Sequence, residues 1–208
     1  MKTFKEFFEK RANLLSEEMF DSPFLFKEMA LLNPSAISKI TSAIDFVNEN
    51  KINAMVIGGM AVSHYTADRS LTPDVDFMVP ALGELKQLLT QKGVQWQPLA
   101  SSGTYEGIQV PALDADFIDM SAGNVALNQY AMQTAVTALI GGHNVKIISP
   151  VALCLMKFSV GRAKDLEDAF KLLKVSNKNE LKTALKALKN HLGDEIDAKT
   201  IWSYATML

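Results

Sequence analysis

A single cysteine, Cys154, among 208 residues excludes an internal disulfide framework. It stands in the apolar run Val151-Ala152-Leu153-Cys154-Leu155, the setting of a small buried hydrophobe, and a chain without disulfides fits a reducing compartment. No uninterrupted apolar run reaches the roughly 20 residues that a membrane-spanning helix needs. The opening, MKTFKEFFEK, has acids where a secretory signal would have its apolar region. A soluble, cytoplasmic protein with no membrane partner is therefore expected. An excess of one charge is missing too: 21 basic and 23 acidic residues give a formal net charge of -2, which argues against a surface that grips nucleic acid everywhere, though a local basic patch stays open. The histidines His64, His143 and His191 lack metal-ligand spacing, and no Ser-His-acid arrangement stands out. Internal repeats and low-complexity segments are absent. With 48% hydrophobic and 21% charged residues, the composition is that of an ordinary globular chain, long enough to bury a core as one domain or a compact pair.

Hydrophobic periodicity divides that chain into elements. Phe4, Phe7, Phe8, Leu14 and Leu15 repeat at helical spacing, with Lys and Glu on the other face, and predict an N-terminal amphipathic helix. After Asn33-Pro34, Ser35 has the character of an N-cap for a helix carrying Ile37, Ile40, Ile44, Phe46 and Val47. The short run 54–57 predicts a buried strand that turns at Gly58-Gly59 into a helix over 60–65, and a second strand is expected over 75–79. Helix over 82–92, short strands and turns over 94–109, strand over 110–120, helix over 124–139 and strand over 145–148 follow. From Val151 the pattern is helical almost to the end. This order predicts an α/β (α+β) fold, a mixed sheet flanked by helices, with an N-terminal helical segment 1–34, a core 35–150 and a C-terminal helical part 151–208.

Chemistry concentrates in two places. Asp74 and Asp76, two apart on one strand, share a face, because strand side chains alternate with period two. Two adjacent carboxylates repel unless a cation or proton offsets them, and Mg²⁺ commonly binds through one or two carboxylates together with substrate phosphates. Mn²⁺ serves equally. A third acid from a neighbouring strand would complete such a site. Asp119 is the first choice and Asp116 the second, since strand register is not readable from sequence. Gly58 and Gly59, between a strand and a helix N-terminus, let backbone N–H groups approach a phosphate. A solvated strand edge is the plainer reading of the Asp pair.

Together the glycines and the acids, in IGGMAVSHYTADRSLTPDVDFMV, resemble the motif of the polymerase-beta-like nucleotidyltransferase superfamily, particularly its small toxin and abortive-infection members from bacteria and phages. ISPVALCLMKFSVGRAKDLEDAFKLL is similar to a later segment of such proteins, and the two stretches cover about half the chain. The resemblance implies a nucleotidyltransferase-like fold and nucleotidyl transfer from a nucleoside triphosphate to a tRNA, protein or small-molecule acceptor. It implies Asp74, Asp76 and a later strand acid as metal-binding and catalytic residues, and Gly58 and Gly59 at phosphate. It also implies Lys157, Arg162 and Lys164 near the nucleotide or acceptor, with Asp165 and Asp168 organising their helix. An antitoxin or a second copy is the protein partner it suggests. Arg69 and Thr72 stand where the pattern has nucleotide-binding Arg and Thr, but with both Ser70 and Leu71 between them, and Met60 stands where a Ser often follows the glycines. The charged residues over 157–168 also fit plain surface pairing at i,i+3 and i,i+4. Finally, MKTFKEFFEKRANLLSEE is loosely similar to the leaders of some tailed-phage proteins, a hint of phage origin.

Overall fold

A computed structural model describes residues 34–66, 74–99, 106–121, 123–192 and 197–208. Helix α1 (Pro34–Glu49) buries Ile40, Ile44 and Val47, which recur every three or four residues and so form one apolar stripe. Strand β1 (Met55–Val56) runs into helix α2 (Gly58–Tyr65), and strand β2 (Val75–Val79) into helix α3 (Leu82–Gln91). Strands β3 (Gln97–Pro98), β4 (Gly107–Val110) and β5 (Ala115–Asp119) precede helix α4 (Val125–Gln133), the hairpin strands β6 (Val136–Ile140) and β7 (His143–Ile147), and four further helices. These are α5 (Pro150–Val160), α6 (Ala163–Val175), α7 (Lys178–Leu188) and α8 (Ala198–Met207). The predicted N-terminal helix, Arg69 and Thr72 lie outside the described residues.

All seven strands form one mixed sheet in the order β3-β4-β5-β2-β1-β7-β6, with β2 parallel to β5 and β1 parallel to β7. The expected α/β sheet flanked by helices is what forms. Register assigns the faces. Val56, Phe77, Phe117 and Ile147 are in-register neighbours across four strands and fully buried, and the rings of Phe77 and Phe117 stack with centroids 5.1 Å apart. Helices α1 and α3 cover this face: Asp45 of α1 pairs with His143 of β7 at 2.5 Å, and α3 buries Leu82, Leu85 and Leu89. The opposite face carries Asp76 and Met78 of β2 beside Asp116 and Ile118 of β5. Helix α5 lies over that face and is buried almost all round, through Val151, Ala152, Leu153, Cys154, Leu155 and Phe158. Burial pushes the Cys154 thiol up, as suits its reading as a small core hydrophobe. Among the described residues no helix is long and apolar enough to cross a membrane.

Two predicted elements come out differently. The strand expected over 110–120 is broken by a short 3₁₀ turn at Pro111–Leu113 with Asp114 in the left-handed region at φ 46°, so β4 and β5 fold back as antiparallel neighbours. Pro111 has no N–H with which to continue a ladder, which is the local cause. The helix expected over 124–139 stops at Gln133, and Val136–Ile140 becomes a strand paired with β7. An apolar run this short satisfies a helical and a two-residue period equally, and the pairing partner decides it.

The register also relocates Asp119. It pairs with Val79, three residues beyond Asp116, and so lies on the face opposite Asp76. There its carboxylate accepts the Leu82 backbone N–H at 3.3 Å and the Ser121 N–H at 2.7 Å, tying β5 to the start of α3. Register thus places Asp116, and not Asp119, beside Asp76. Asp119→Ala should cost about 1 kcal/mol of stability, the usual loss of an N-terminal cap. Chemical denaturation measures it, and a loss below a few tenths would show that Asp119 does not anchor α3.

Candidate active site

Between β1 and α2 the chain turns at Gly58, with φ +65°, a conformation side chains other than glycine rarely adopt. Space is the second requirement there. A Cβ on Gly58 would lie 1.8 Å from Oδ2 of Asp76, so the missing side chain is the volume that the carboxylate fills. Asp76 also accepts the backbone N–H of Gly59 at the start of α2, where the helix dipole favours negative charge. Even so, its carboxyl is pushed up to about 6: burial raises it most, then the charges of Asp74 and Asp116, against smaller opposing effects of Gly59 and Lys157.

Asp116 sits beside Asp76 on β5, and its own carboxyl is raised by burial and by Asp74 while a hydrogen bond from Gln109 lowers it. Asp74, at the entrance to β2, completes a cluster of three mutually repelling carboxylates. Its donor chemistry, hard oxygens carrying excess negative charge, suits a divalent cation of the Mg²⁺ type. Among the described residues no three such side chains are already gathered closely enough to form a metal cage by themselves.

Facing the acids is the start of the C-terminal helical part. Ser149 caps α5 by accepting the Ala152 N–H, and Gly161, at φ +72°, ends the helix one residue before Arg162. Lys157, on the last turn, extends its Nζ to 2.6 Å from Asp165 Oδ1 and 3.1 Å from Asp168 Oδ2, both acids being almost wholly buried on one face of α6. Arg162 Nε meets the other oxygen of Asp165 at 2.5 Å, with its side chain 75% exposed against 13% for Lys157. Burial pushes the Asp165 carboxyl up, but the hydrogen bonds and charges of Arg162 and Lys157 outweigh it and hold the group below the ordinary carboxylate value. The two Lys157 pairs are buried, not the solvated surface pairs that the local spacing also allowed, whereas Arg162 reaches Asp165 from solvent.

One cavity of about 350 Å³ joins the two halves: Gly58, Gly59, Asp74 and Asp76 line it together with Lys157, Arg162, Lys164 and Asp165. Asp116 adjoins Asp76, and Asp119 lies on the far face of the sheet. The apolar wall is Met78, Ile118, Leu153, Met156 and Val160, of which the sequence suggests Met78 and Met156 only as core fillers. Its signal was present in spacing, since Met78 and Ile118 stand two residues after Asp76 and Asp116 on the same strand face, and Leu153, Met156 and Val160 repeat along one side of α5 with Lys157.

No protein-family model matches the chain, and no curated protein matches it in sequence. Solved structures do resemble it. The crystal structure of ANT(2'')-Ia in complex with adenylyl-2''-tobramycin gives a TM-score of 0.53 at 14% identity, over 76% of this chain and 98% of that one. The solution structure of this antibiotic-resistance factor gives 0.52 at 15% identity, over 74% and 91%. An antigenic nucleotidyltransferase-like protein from Paracoccidioides brasiliensis gives 0.47 at 18%, over 82% and 98%. The likeness to ANT(2'')-Ia is one of fold: this chain has a nucleotidyltransferase-like fold, a mixed sheet flanked by helices.

Two predictions test the geometry. Gly58→Ala should destabilise the protein by at least the roughly 1–2 kcal/mol of a left-handed residue. Combined with Asp76→Ala, which removes the obstructing oxygens, the loss should be clearly smaller than the sum of the two single losses; strict additivity would mean the contact is not there. For Asp165, a folded-state value below the unfolded one makes its contribution complete above the unfolded value of about 3.9 and lost as pH falls through the folded value. Asp165→Asn should therefore cost about 3 kcal/mol at pH 7, as breaking a buried pair does. The gap from wild type should shrink below about pH 4; a gap constant with pH in denaturation curves would contradict the pairing.

Proposed function

We propose that the protein is a metal-dependent nucleotidyltransferase that moves a nucleotidyl group from a nucleoside triphosphate to an RNA, protein or small-molecule acceptor. The observation that carries this reading is the single cavity in which Asp74, Asp76 and the Gly58-Gly59 turn face Lys157, Arg162 and Lys164. In it, Asp74 and Asp76 would hold a divalent cation, Mg²⁺ or Mn²⁺, whose charge would offset that of the triphosphate. The N-terminus of α2 offers backbone N–H groups to phosphate oxygens. Arg162 and Lys164, on the opposite wall, balance the charge that grows on the departing pyrophosphate. Asp116 takes the proton of the acceptor hydroxyl as its oxygen bonds to the α-phosphorus; the bond to the bridging oxygen breaks and pyrophosphate leaves with that electron pair. Burial and the charge of Asp74, which make the Asp116 carboxylate more basic, suit it to this task. The apolar wall of Met78, Ile118, Leu153, Met156 and Val160 provides contact area for the base or the acceptor and excludes water.

A second reading, a catalytically silent nucleotide-binding or partner-binding protein of the same fold, is favoured by two observations. Met60, after the glycines, is buried and offers no hydroxyl, and the Gly59 N–H is already engaged by Asp76. Incubation of the whole protein with each labelled triphosphate in cell extract separates the two readings. The transferase reading expects label to pass to a macromolecule or small molecule only with Mg²⁺ or Mn²⁺ present, and the rate to fall at least about a hundredfold in Asp76→Ala that keeps its unfolding midpoint. Undiminished labelling by that variant would sink the role given to Asp76. Triphosphate binding without turnover in any extract would favour the silent protein.

A further inference from the structure

On the active-site face of the sheet, polar side chains form a row that runs outward from the carboxylates. Register places Asp76 of β2 beside Asp116 of β5, Asp116 beside Gln109 of β4, and Gln109 beside Gln97 of β3. In-register neighbours stand about 5 Å apart and share a face, so each side chain can reach the next. The bonds along the row have a direction. Gln97 donates from Nε2 to Oε1 of Gln109 at 2.6 Å. With its amide oxygen so engaged, Gln109 turns its NH₂ to the other side, where it donates to the Asp116 carboxylate. Gln97 is exposed, Gln109 and Asp116 half-buried, and the row ends at the edge of the sheet, so no packing demand accounts for two amides in line with an acid.

Resting on the transferase reading above, we propose that Gln109 is a positioning residue that aims the Asp116 carboxylate at the acceptor oxygen, and that Gln97 supports it by donating to the oxygen of the same amide. An ionised carboxylate only accepts hydrogen bonds, whereas an amide offers a donor on one end and an acceptor on the other. Were the Gln109 amide reversed, its oxygen would face Asp116 and repel it. Asp116, which can only accept, draws the Gln109 NH₂ toward itself, and the donation from Gln97 satisfies the oxygen left on the other side. One lone pair of Asp116 is thereby tied back toward β4, and the other oxygen is left for the acceptor beside Asp76. The device controls the reacting acid from two strands away without either amide touching a reacting atom.

Substitutions of unchanged size that replace an amide with a carboxylate test the relay. In Gln97→Glu the new carboxylate only accepts, so the Gln109 oxygen loses its donor and the carboxylate competes with Asp116 for the Gln109 NH₂. In Gln109→Glu a second carboxylate replaces the donor outright. Both variants should transfer label about ten- to a hundredfold more slowly than wild type, the usual cost of losing such a supporting contact, while the dissociation constant for a fluorescent triphosphate analogue stays the same. Gln97→Glu on top of Gln109→Ala should add nothing, because the relay is already cut. Side-chain amide NMR supplies a readout independent of turnover: the Gln109 NH₂ resonances should shift in both Gln97→Glu and Asp116→Asn. Wild-type transfer rates in the two Glu variants would overturn the proposal, as would Gln109 resonances that ignore either neighbour. If the wild-type protein labels nothing from any triphosphate, the transferase reading has failed instead; shifted resonances would then leave a structural relay, and the positioning role would fall with the reaction.

Discussion

A carboxylate pressed into the space of a missing side chain organises this molecule. Asp76 reaches from the central strand β2 to the Cα of Gly58 and accepts the N–H of Gly59, so the acid, the turn and the start of α2 share one packing arrangement. Because the contact lies within van der Waals distance of backbone, it tolerates no side chain at Gly58. Strand, turn and helix are held as a unit even though the residues concerned are separated by a segment of the chain.

The same carboxylate sets an electrostatic balance that extends through the fold. Asp74 and Asp116 raise it, and Lys157 opposes them from the end of α5. Lys157 in turn pairs with two buried acids of α6, so a single ammonium group mediates between the sheet and the C-terminal helices. A buried charge without partners costs several kcal/mol, and this lysine faces acids on both sides. The helical part is therefore bound to the site by charge as well as by the apolar packing of α5.

Much of this was legible in sequence where the signal is local. A glycine pair between an apolar run and a helix, two aspartates two residues apart, and an apolar helix entered through Ser149-Pro150 each follow from short-range geometry, and the structure forms all three. The limits of the second strand, 75–79, are legible because the acids mark its start and Pro80 its end. The run 136–140 was not legible as a strand, since its pairing partner lies across Gly141-Gly142 and an isolated apolar stretch carries no record of it. Likewise the strand expected over 110–120 took no account of Pro111, whose missing N–H forces the reversal between β4 and β5.

The amino-acid sequence by itself determined which chemical groups the site contains: two strand acids, a glycine turn, and a lysine and arginine followed by two more acids. The choice of the third acid belonged to tertiary structure. Asp116 and Asp119 are three residues apart on one strand, so they face opposite ways, and only the parallel pairing of β5 with β2 settles which of them meets Asp76. Tertiary structure also decided that Lys157 is buried between acids rather than spread on a surface, and that Gln97 and Gln109 line up with Asp116. The physical reason is common to all three: spacing along a chain fixes which side of its own element a residue occupies, and hydrogen bonding between elements fixes what it finds there.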